Sequence, residues 1–256
     1  MQLPSVQLMK KVRVALTPRS WFLTHRLSNG AVVMGRNRAG YGGRGIYIFG
    51  DSIEAELEHL DELLGPDGVF IDAGASTGAY ALKAAKHFGP RGIVIAVEPH
   101  IELLATLQHS VEVNQLTNVR LRNVGLARET GERTFRVNLG HPHDFSLVHD
   151  DPTSQGFSVL TVSLDDLFKW ERLDRLDYLK IDVVGAEEEV LLGGRRTIES
   201  CRPIVQIEAK ERGDVPFTVP DYVAFKAEGS PNKLLVPKEH PNVDLPRKLG
   251  WSDYVP

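Results

Sequence analysis

The 256-residue chain is predicted to fold as an α/β protein, with a mostly parallel sheet covered by helices on both faces. Short apolar runs alternate with stretches of helical spacing from residue 69 to about 209. The runs are continuous rather than alternating, which is typical of parallel strands buried on both faces. Residues 69–78 join one such run to a helical stretch through a turn with two glycines.

Residues 1–60 are predicted to form an N-terminal extension that contacts substrate or a second copy of the chain. Residues 1–16 mix lysine and arginine with scattered apolar residues, which favours a packed or partner-binding helix over a membrane-surface helix. A hairpin is expected around 27–34 with Ser28-Asn29-Gly30 as its turn, and 54–64 has helical spacing.

Residues 61–240 are predicted to form the main domain. Its expected strands are 69–73, 93–98, 119–126, 133–137, 160–162, 176–183 and 204–208, followed by an antiparallel pair at 222–226 and 234–236. Its expected helices are 77–88, 101–114, 164–170 and 186–199. Residues 241–256 are predicted to be an irregular C-terminal tail.

Composition limits the classes of function. The net charge of −4 argues against a nucleic-acid partner, because phosphate neutralisation needs a basic surface. The single cysteine, Cys201, leaves no intramolecular disulfide and no cysteine-based zinc site, which fits a cytoplasmic location. No apolar run approaches the ~18–20 residues that span a bilayer.

The turn after residue 73 suggests a cofactor site. Gly74 and Gly78 let a ligand approach the backbone, and Ser76 or Thr77 is expected to cap the next helix. Asp72 suits an ammonium group and would repel a pyrophosphate. The Gly-x-Gly-x-x-Gly pattern of dinucleotide sites is missing, so this turn favours S-adenosylmethionine over NAD.

Two further acids end predicted strands. Glu98 is placed to accept hydrogen bonds from both ribose hydroxyls, although a solvated carboxylate is the simpler reading. Pro99 then favours a helix start, and His100 is expected to be a surface residue there. Asp182 ends a strand expected beside the first strand, and Lys180 shares its face of the sheet. Ligands bind at such strand ends where the strand order reverses.

These stretches together resemble the FkbM family of S-adenosylmethionine-dependent methyltransferases. The resemblance rests on Asp72-Ala-Gly-Ala-Ser-Thr-Gly78, Val97-Glu-Pro-His100, Asn123-Val-Gly-Leu126, Val162-Ser-Leu-Asp-Asp-Leu167 and Leu179-Lys-Ile-Asp-Val-Val-Gly-Ala-Glu187. The resemblance implies the class I methyltransferase fold, which is Rossmann-like and has a seven-stranded, mostly parallel sheet whose last strand is antiparallel. One departure is Val184, where the family more often has Glu, so substrate choice or metal need is open.

The resemblance also implies a cofactor set. The residues expected to contact S-adenosylmethionine are Asp72, Gly74, Ala75, Ser76, Thr77, Gly78, Glu98, Pro99, Asn123, Val124 and Asp182. The loop would line the methionine end, Glu98 would bind the ribose, and Asn123 with Val124 would flank the adenine.

The general base is less defined. Asp182 is the first candidate and His143 the second, because a hydroxyl nucleophile loses its proton to a nearby base. His141 and His149 are further candidates, and His141, His143 and Asp144 are conceivable metal ligands. Paired loop histidines are more often plain surface residues, so no metal site is assigned and metal dependence is left open.

The predicted function is O-methylation of a hydroxyl on a small molecule, a natural product or a sugar, by direct SN2 transfer from S-adenosylmethionine. The alternatives are N-methylation, an NAD-dependent oxidoreductase and a non-catalytic cofactor-binding protein of the same fold. The expected partners are a small-molecule acceptor and a second copy of the chain bound through the N-terminal region. The methyl acceptor itself is not written in any motif.

Overall fold

A computed structural model of the protein describes residues 4–39, 43–137, 145–146, 155–183, 185–208 and 220–254. Its strands are β1 (Phe22–Arg26), β2 (Val32–Arg36), β3 (Val69–Ala73), β4 (Ile93–Val97), β5 (Val119–Arg122), β6 (Gly125–Ala127), β7 (Gly131–Val137), β8 (Phe145–Ser146), β9 (Gln155–Ser163), β10 (Tyr178–Ile181), β11 (Ile204–Glu208), β12 (Tyr222–Lys226), β13 (Asn232–Pro237) and β14 (Ser252–Tyr254). Its α-helices are α1 (Pro4–Leu16), α2 (Arg44–Phe49), α3 (Ala55–Glu58), α4 (Leu60–Leu63), α5 (Ala79–Phe88), α6 (Ile101–Val113), α7 (Leu164–Trp170), α8 (Glu187–Gly193), α9 (Arg195–Cys201) and α10 (Leu245–Lys248).

The main sheet has eight strands in the order β14-β12-β13-β11-β10-β3-β4-β5. Strands β11, β10, β3, β4 and β5 are mutually parallel, and β13 runs antiparallel to both of its neighbours. The predicted mostly parallel sheet is confirmed, with one more strand than the seven expected. The strand order reverses between β3 and β10. In open α/β sheets such a reversal leaves a crevice outside the carboxyl ends of the strands, where ligands bind.

Both faces of this sheet carry a hydrophobic core, as the continuous apolar strands predict. On one face Phe70 and Tyr178 stack with ring centroids 5.1 Å apart, under helices α5 and α6. On the other face Ile71 and Leu179 pack against helices α7 to α9. Every residue of β3 is buried, so the strand that leads into the glycine turn is fixed from both sides.

The single strand expected at 119–126 is wrong. Strand β5 ends at Arg122, and β6 belongs to a second sheet of order β6-β9-β7-β8, where it pairs with β9. The helices expected at 54–64 and 186–199 are each divided, at His59 and at Gly194. A Cβ on Gly194 would lie 2.4 Å from Leu164, so close packing against α7 accounts for the second break.

The predicted N-terminal hairpin is confirmed, because β1 and β2 pair antiparallel. The hairpin docks on helix α6 through Asn114, whose side chain bonds both the amide and the carbonyl of Val32. Ser110 of the same helix accepts a hydrogen bond from the amide of Met34. Within the described ranges, no helix has the length and apolar character needed to cross a membrane.

The irregular tail predicted for 241–256 is wrong, because this segment contains α10 and β14. Strand β14 extends the main sheet by pairing with β12. Trp251 is 7% exposed and belongs to the core on the α5 face, with its ring 6.4 Å from that of His59. Its apolar side chain fixes the tail to the domain.

The Trp251→Ala substitution is expected to lower the free energy of unfolding by about 3–5 kcal/mol, because it empties a buried site. Chemical denaturation monitored by circular dichroism measures this loss. The control is Trp170→Ala, since that ring is 57% exposed, and its loss should stay below about 1 kcal/mol. Equal losses in the two variants would contradict the docking of the tail.

Candidate active site

A buried ion pair lies at the point where the strand order reverses. Asp72 on β3 and Lys180 on β10 are neighbours in the register of the parallel pair. The lysine Nζ is 3.3 Å from Asp72 Oδ1 and 3.4 Å from Asp182 Oδ2. Asp72 is 1% exposed and Lys180 is 4% exposed. The structure thus brings together the two predicted acids and places Lys180 between them.

The electrostatics of this group are set by burial and by mutual attraction. Burial raises the pKa of the Asp72 carboxyl, and the Lys180 ammonium partly opposes this shift. Burial alone would lower the pKa of Lys180, but the carboxylates of Asp72, Asp182 and Glu54 outweigh it and raise that pKa. Lys180 therefore stays protonated at neutral pH.

One carboxylate oxygen of Asp72 is available to accept a further hydrogen bond. Its Oδ2 accepts a hydrogen bond from the amide of Ala81, 3.2 Å away in the first turn of α5. Its Oδ1 is buried and, among the described residues, receives no hydrogen bond of good geometry, although Lys180 is at ion-pair distance. A buried carboxylate oxygen in this state fits a donor brought by a ligand, such as the ammonium group of S-adenosylmethionine.

Close packing around the turn also requires glycine at positions 74 and 78. Gly74 has φ +77°, and a Cβ there would lie 1.8 Å from the carbonyl oxygen of Asp182. Gly78 has φ +80°, and a Cβ there would lie 2.1 Å from Leu107 of α6. The amides of Gly74 and Ala75 both donate to the carbonyl of Val97, which ties the turn to β4. The turn is therefore held tightly to β4, β10 and α6.

The predicted cap of the following helix is wrong. Helix α5 begins at Ala79, and its N-cap residue is Gly78, which has no side chain for capping. Thr77 is 7% exposed, and a Cβ on Gly35 of β2 would lie 3.1 Å from its methyl group. Ser76 adopts φ +50° and turns its amide toward Glu98. The hairpin thus lies directly beside the glycine turn.

Glu98 is 6% exposed and lies at the end of β4. Its Oε2 accepts the amide of Ser76 at 2.9 Å, and its Oε1 accepts the amide of His100 at 2.8 Å. Burial raises the pKa of Glu98 to about 7, although these two amides favour the ionised form. A carboxylate oxygen has two lone pairs, so each Glu98 oxygen has capacity for one further hydrogen bond of the kind that a ribose hydroxyl donates.

The predicted adenine residues lie beside Glu98. The exposed side chain of Asn123 donates to the carbonyls of Glu98 and Pro99, at 3.0 and 2.9 Å. Val124 is half-buried next to it. His100 is the N-cap of α6, where its Nδ1 accepts from the amide of Leu103, which agrees with the structural role expected for it.

The candidate base or metal-ligand residues His141, His143, Asp144 and His149 lie outside the described residues, as does Val184, the departure from the family pattern. The base role of His143 therefore stays a prediction. Within the described part of the chain, no three His, Cys, Asp or Glu side chains form a group suited to a metal ion.

A series of buried, hydrogen-bonded polar side chains lies behind Lys180, and the sequence pattern did not predict it. The Tyr80 ring lies 5.2 Å from Lys180 Nζ, and its hydroxyl donates to Glu54 at 2.6 Å. Gln206 donates to the same hydroxyl at 2.9 Å and accepts from Tyr178. The available signal was Gln206 itself, a polar residue in the middle of the apolar run 204–208.

This sheet order, with acids at the ends of β3 and β4, defines a class I methyltransferase fold. The chain belongs to the FkbM methyltransferase family, since the family model for the methyltransferase FkbM domain matches residues 72–225. A putative methyltransferase from Escherichia coli, yhhF, shares the fold with a TM-score of 0.50 at 11% identity, over 83% of this chain and 96% of its own.

Two curated relatives are similar in sequence. Methyltransferase 1 of Beauveria bassiana is 29% identical over 148 residues, which cover 50% of this chain and 59% of the relative. The hexuronic acid methyltransferase AglP of Haloferax volcanii is 28% identical over 160 residues, which cover 62% of each chain. The chain thus spans about three fifths of the length of these relatives.

The raised pKa of Glu98 predicts a pH dependence of stability. The folded protein binds this proton more tightly than the unfolded chain, whose carboxyl has a pKa near 4.5. The contribution of Glu98 is therefore fully present below about pH 4.5 and is lost as the pH rises through about 7, an effect of about 3 kcal/mol.

Denaturation of the wild type and Glu98→Gln at several pH values measures this effect. Relative to the glutamine variant, the wild type should become less stable between about pH 4.5 and about pH 8. If the stability profiles of the two proteins run parallel over this range, the pKa of Glu98 is not raised in the folded protein.

Proposed function

We propose that the protein is an S-adenosylmethionine-dependent methyltransferase that methylates a hydroxyl group of a small molecule, with a sugar acid as the favoured acceptor. The observation that carries the proposal is the buried Asp72 Oδ1, which lacks a well-formed hydrogen bond among the described residues. It lies at the switch point of the sheet, where ligands of such folds bind.

The local charge supports a cationic ligand. One lysine faces the two carboxylates of Asp72 and Asp182, so the group is net negative when both acids are ionised. The ammonium and sulfonium groups of S-adenosylmethionine would balance this charge, whereas a pyrophosphate would be repelled. This argues against the NAD-dependent alternative.

Glu98 supports the ribose assignment. Its two oxygens are held in place by backbone amides, so a bound ribose would meet a preorganised carboxylate. Asn123 fixes the adjoining backbone, and we assign Val124 and the loop that Asn123 begins to the adenine side of the site.

Asp182 is our candidate for orienting the acceptor. Its side chain is 30% exposed, in contrast to the almost fully buried Asp72 and Lys180. Its amide donates to the carbonyl of Ala73 at 3.0 Å, and Lys180 holds its Oδ2. When bound, the cofactor would supply a methyl group that an aligned nucleophile takes in a single displacement, as the methyl–sulfur bond breaks and S-adenosylhomocysteine leaves. Asp182 would accept the hydrogen bond, and then the proton, of the acceptor hydroxyl.

The relatives suggest the acceptor class. The Haloferax relative is named as a hexuronic acid methyltransferase, and this chain aligns with 62% of it. Hexuronic acids offer several hydroxyl groups, which fits an oxygen nucleophile. N-methylation and cofactor binding without turnover are outcomes that the activity assay below distinguishes.

Calorimetric titration with S-adenosylhomocysteine tests the cofactor site. We expect Asp72→Asn and Glu98→Gln each to weaken binding at least about tenfold, because each loses a charge-assisted hydrogen bond. The matched control is Asp244→Asn, an acid whose side chain is 65% exposed, and it should bind normally. Unchanged affinity in both site variants would refute the site assignment, and NADH should show no fluorescence change on mixing.

Turnover with a panel of hexuronic acids, neutral sugars and amines tests the chemistry. We expect methyl ethers of sugar hydroxyls, and a fall in kcat of about 10²–10⁴-fold in Asp182→Asn. Binding of S-adenosylhomocysteine should weaken much less than kcat falls in that variant, which separates a role of Asp182 in the reaction from its contribution to cofactor binding. Methylated amines alone would favour N-methylation, and binding without any turnover would favour the non-catalytic alternative.

A further inference from the structure

The charges of the chain are divided very unevenly along the sequence. The first 50 residues contain eight basic residues and neither Asp nor Glu: Lys10, Lys11, Arg13, Arg19, Arg26, Arg36, Arg38 and Arg44. Because the whole chain has a net charge of −4, residues 51–256 carry −12. The overall charge therefore conceals a basic N-terminal segment on an acidic domain.

Helix α1 in this basic segment has an exposed apolar face, which we call the α1 stripe: Leu8, Met9, Val12 and Leu16. Their spacing of one, three and four residues puts them on one side of the helix. Met9 is 72% exposed and Leu16 is 81% exposed. On the opposite side, Val14 is buried against Leu23 and Ile48. Helix α1 thus packs against the protein through one face, and the α1 stripe on the opposite face is exposed to solvent.

Further exposed apolar side chains follow the helix in the sequence. Asn37, which is 1% exposed, donates to the carbonyls of Val14 and Thr17 and so ties the end of α1 to β2. Trp21 is 64% exposed and Phe22 is 46% exposed on the same unit. Seven of the twelve exposed large hydrophobic side chains of the described residues lie between residues 6 and 22. This concentration marks an interaction surface.

We propose that the α1 stripe, with Trp21 and Phe22, docks the protein on an anionic lipid surface. Leucine, methionine and an aromatic pair would enter the acyl boundary, and the exposed Lys11 and Arg13 that flank the stripe would meet lipid phosphates. The acidic remainder of the chain would be repelled from the same surface, so docking has one orientation.

The charges also decide against the other occupants of this surface. Self-association of two copies through their α1 stripes would bring two copies of the basic segment of residues 1–50, which contains no Asp or Glu, against each other. A nucleic acid would match the charge but would leave the leucine and methionine side chains in water. A lipid surface satisfies both the charge and the apolar stripe.

Co-sedimentation of the full chain with vesicles tests this proposal. The probes are vesicles of phosphatidylcholine alone and vesicles with about a third phosphatidylserine. We expect binding to the anionic vesicles to be at least about tenfold stronger, and to weaken at high salt. Leu16→Glu should reduce it at least about tenfold, because it places an acid in the stripe.

The matched control is Leu160→Glu, which puts the same change on an exposed leucine of β9 and should bind vesicles normally. Thermal melting and S-adenosylhomocysteine binding should be the same in both variants, which separates docking from folding and from the cofactor site. No binding to anionic vesicles would overturn the proposal. So would a wild-type dimer that Leu16→Glu converts to a monomer, or binding to single-stranded RNA that Leu16→Glu retains while vesicle binding is absent.

Discussion

Lys180 reaches from β10 to Asp72 on β3, and both side chains lie almost fully inside the protein. Removing one partner of such a buried pair typically costs about 3–5 kcal/mol, because an uncompensated charge stays behind. The pair therefore fixes the two strands on either side of the crevice. It also orients Asp182, which shares the lysine and lies at the more exposed end of the group. The glycine turn, the candidate base and the switch point of the sheet all depend on this contact.

Behind the Asp72–Lys180 pair lies a group of buried polar side chains that form hydrogen bonds with one another. Tyr80 connects Lys180 to Glu54, and Asn232 of β13 bridges Glu54 and Glu56. Burial raises the pKa of Glu56, which is 0% exposed, while Asn232 and Ser230 bond its carboxylate. The segment before the main domain is thereby joined to the sheet by hydrogen bonds. A dry, rigid support of this kind strengthens electrostatic interactions at the crevice in front of it.

The main elements of this fold could be predicted because their apolar runs and turn residues are local signals. The strand 204–208 and the helix 164–170 have the predicted ends, and the positions of Asp72, Glu98 and Asp182 at strand ends follow from the same pattern. The missed features depend on distant contacts. Strand β6 joins β9 rather than continuing β5, and Trp251 anchors a tail with little periodicity. Tyr80 and Gln206 meet only in three dimensions, so spacing alone could not pair them.

A crystal structure with S-adenosylhomocysteine would show whether Asp72, Glu98 and Asp182 surround the cofactor. We expect the amino group of the ligand to donate to Asp72 Oδ1, directly or through one water, at about 3 Å. We also expect the ribose hydroxyls to reach Glu98 and the sulfur to face Asp182. A ligand bound elsewhere, or one in the crevice that leaves Asp72 Oδ1 without a donor, would refute the proposed site.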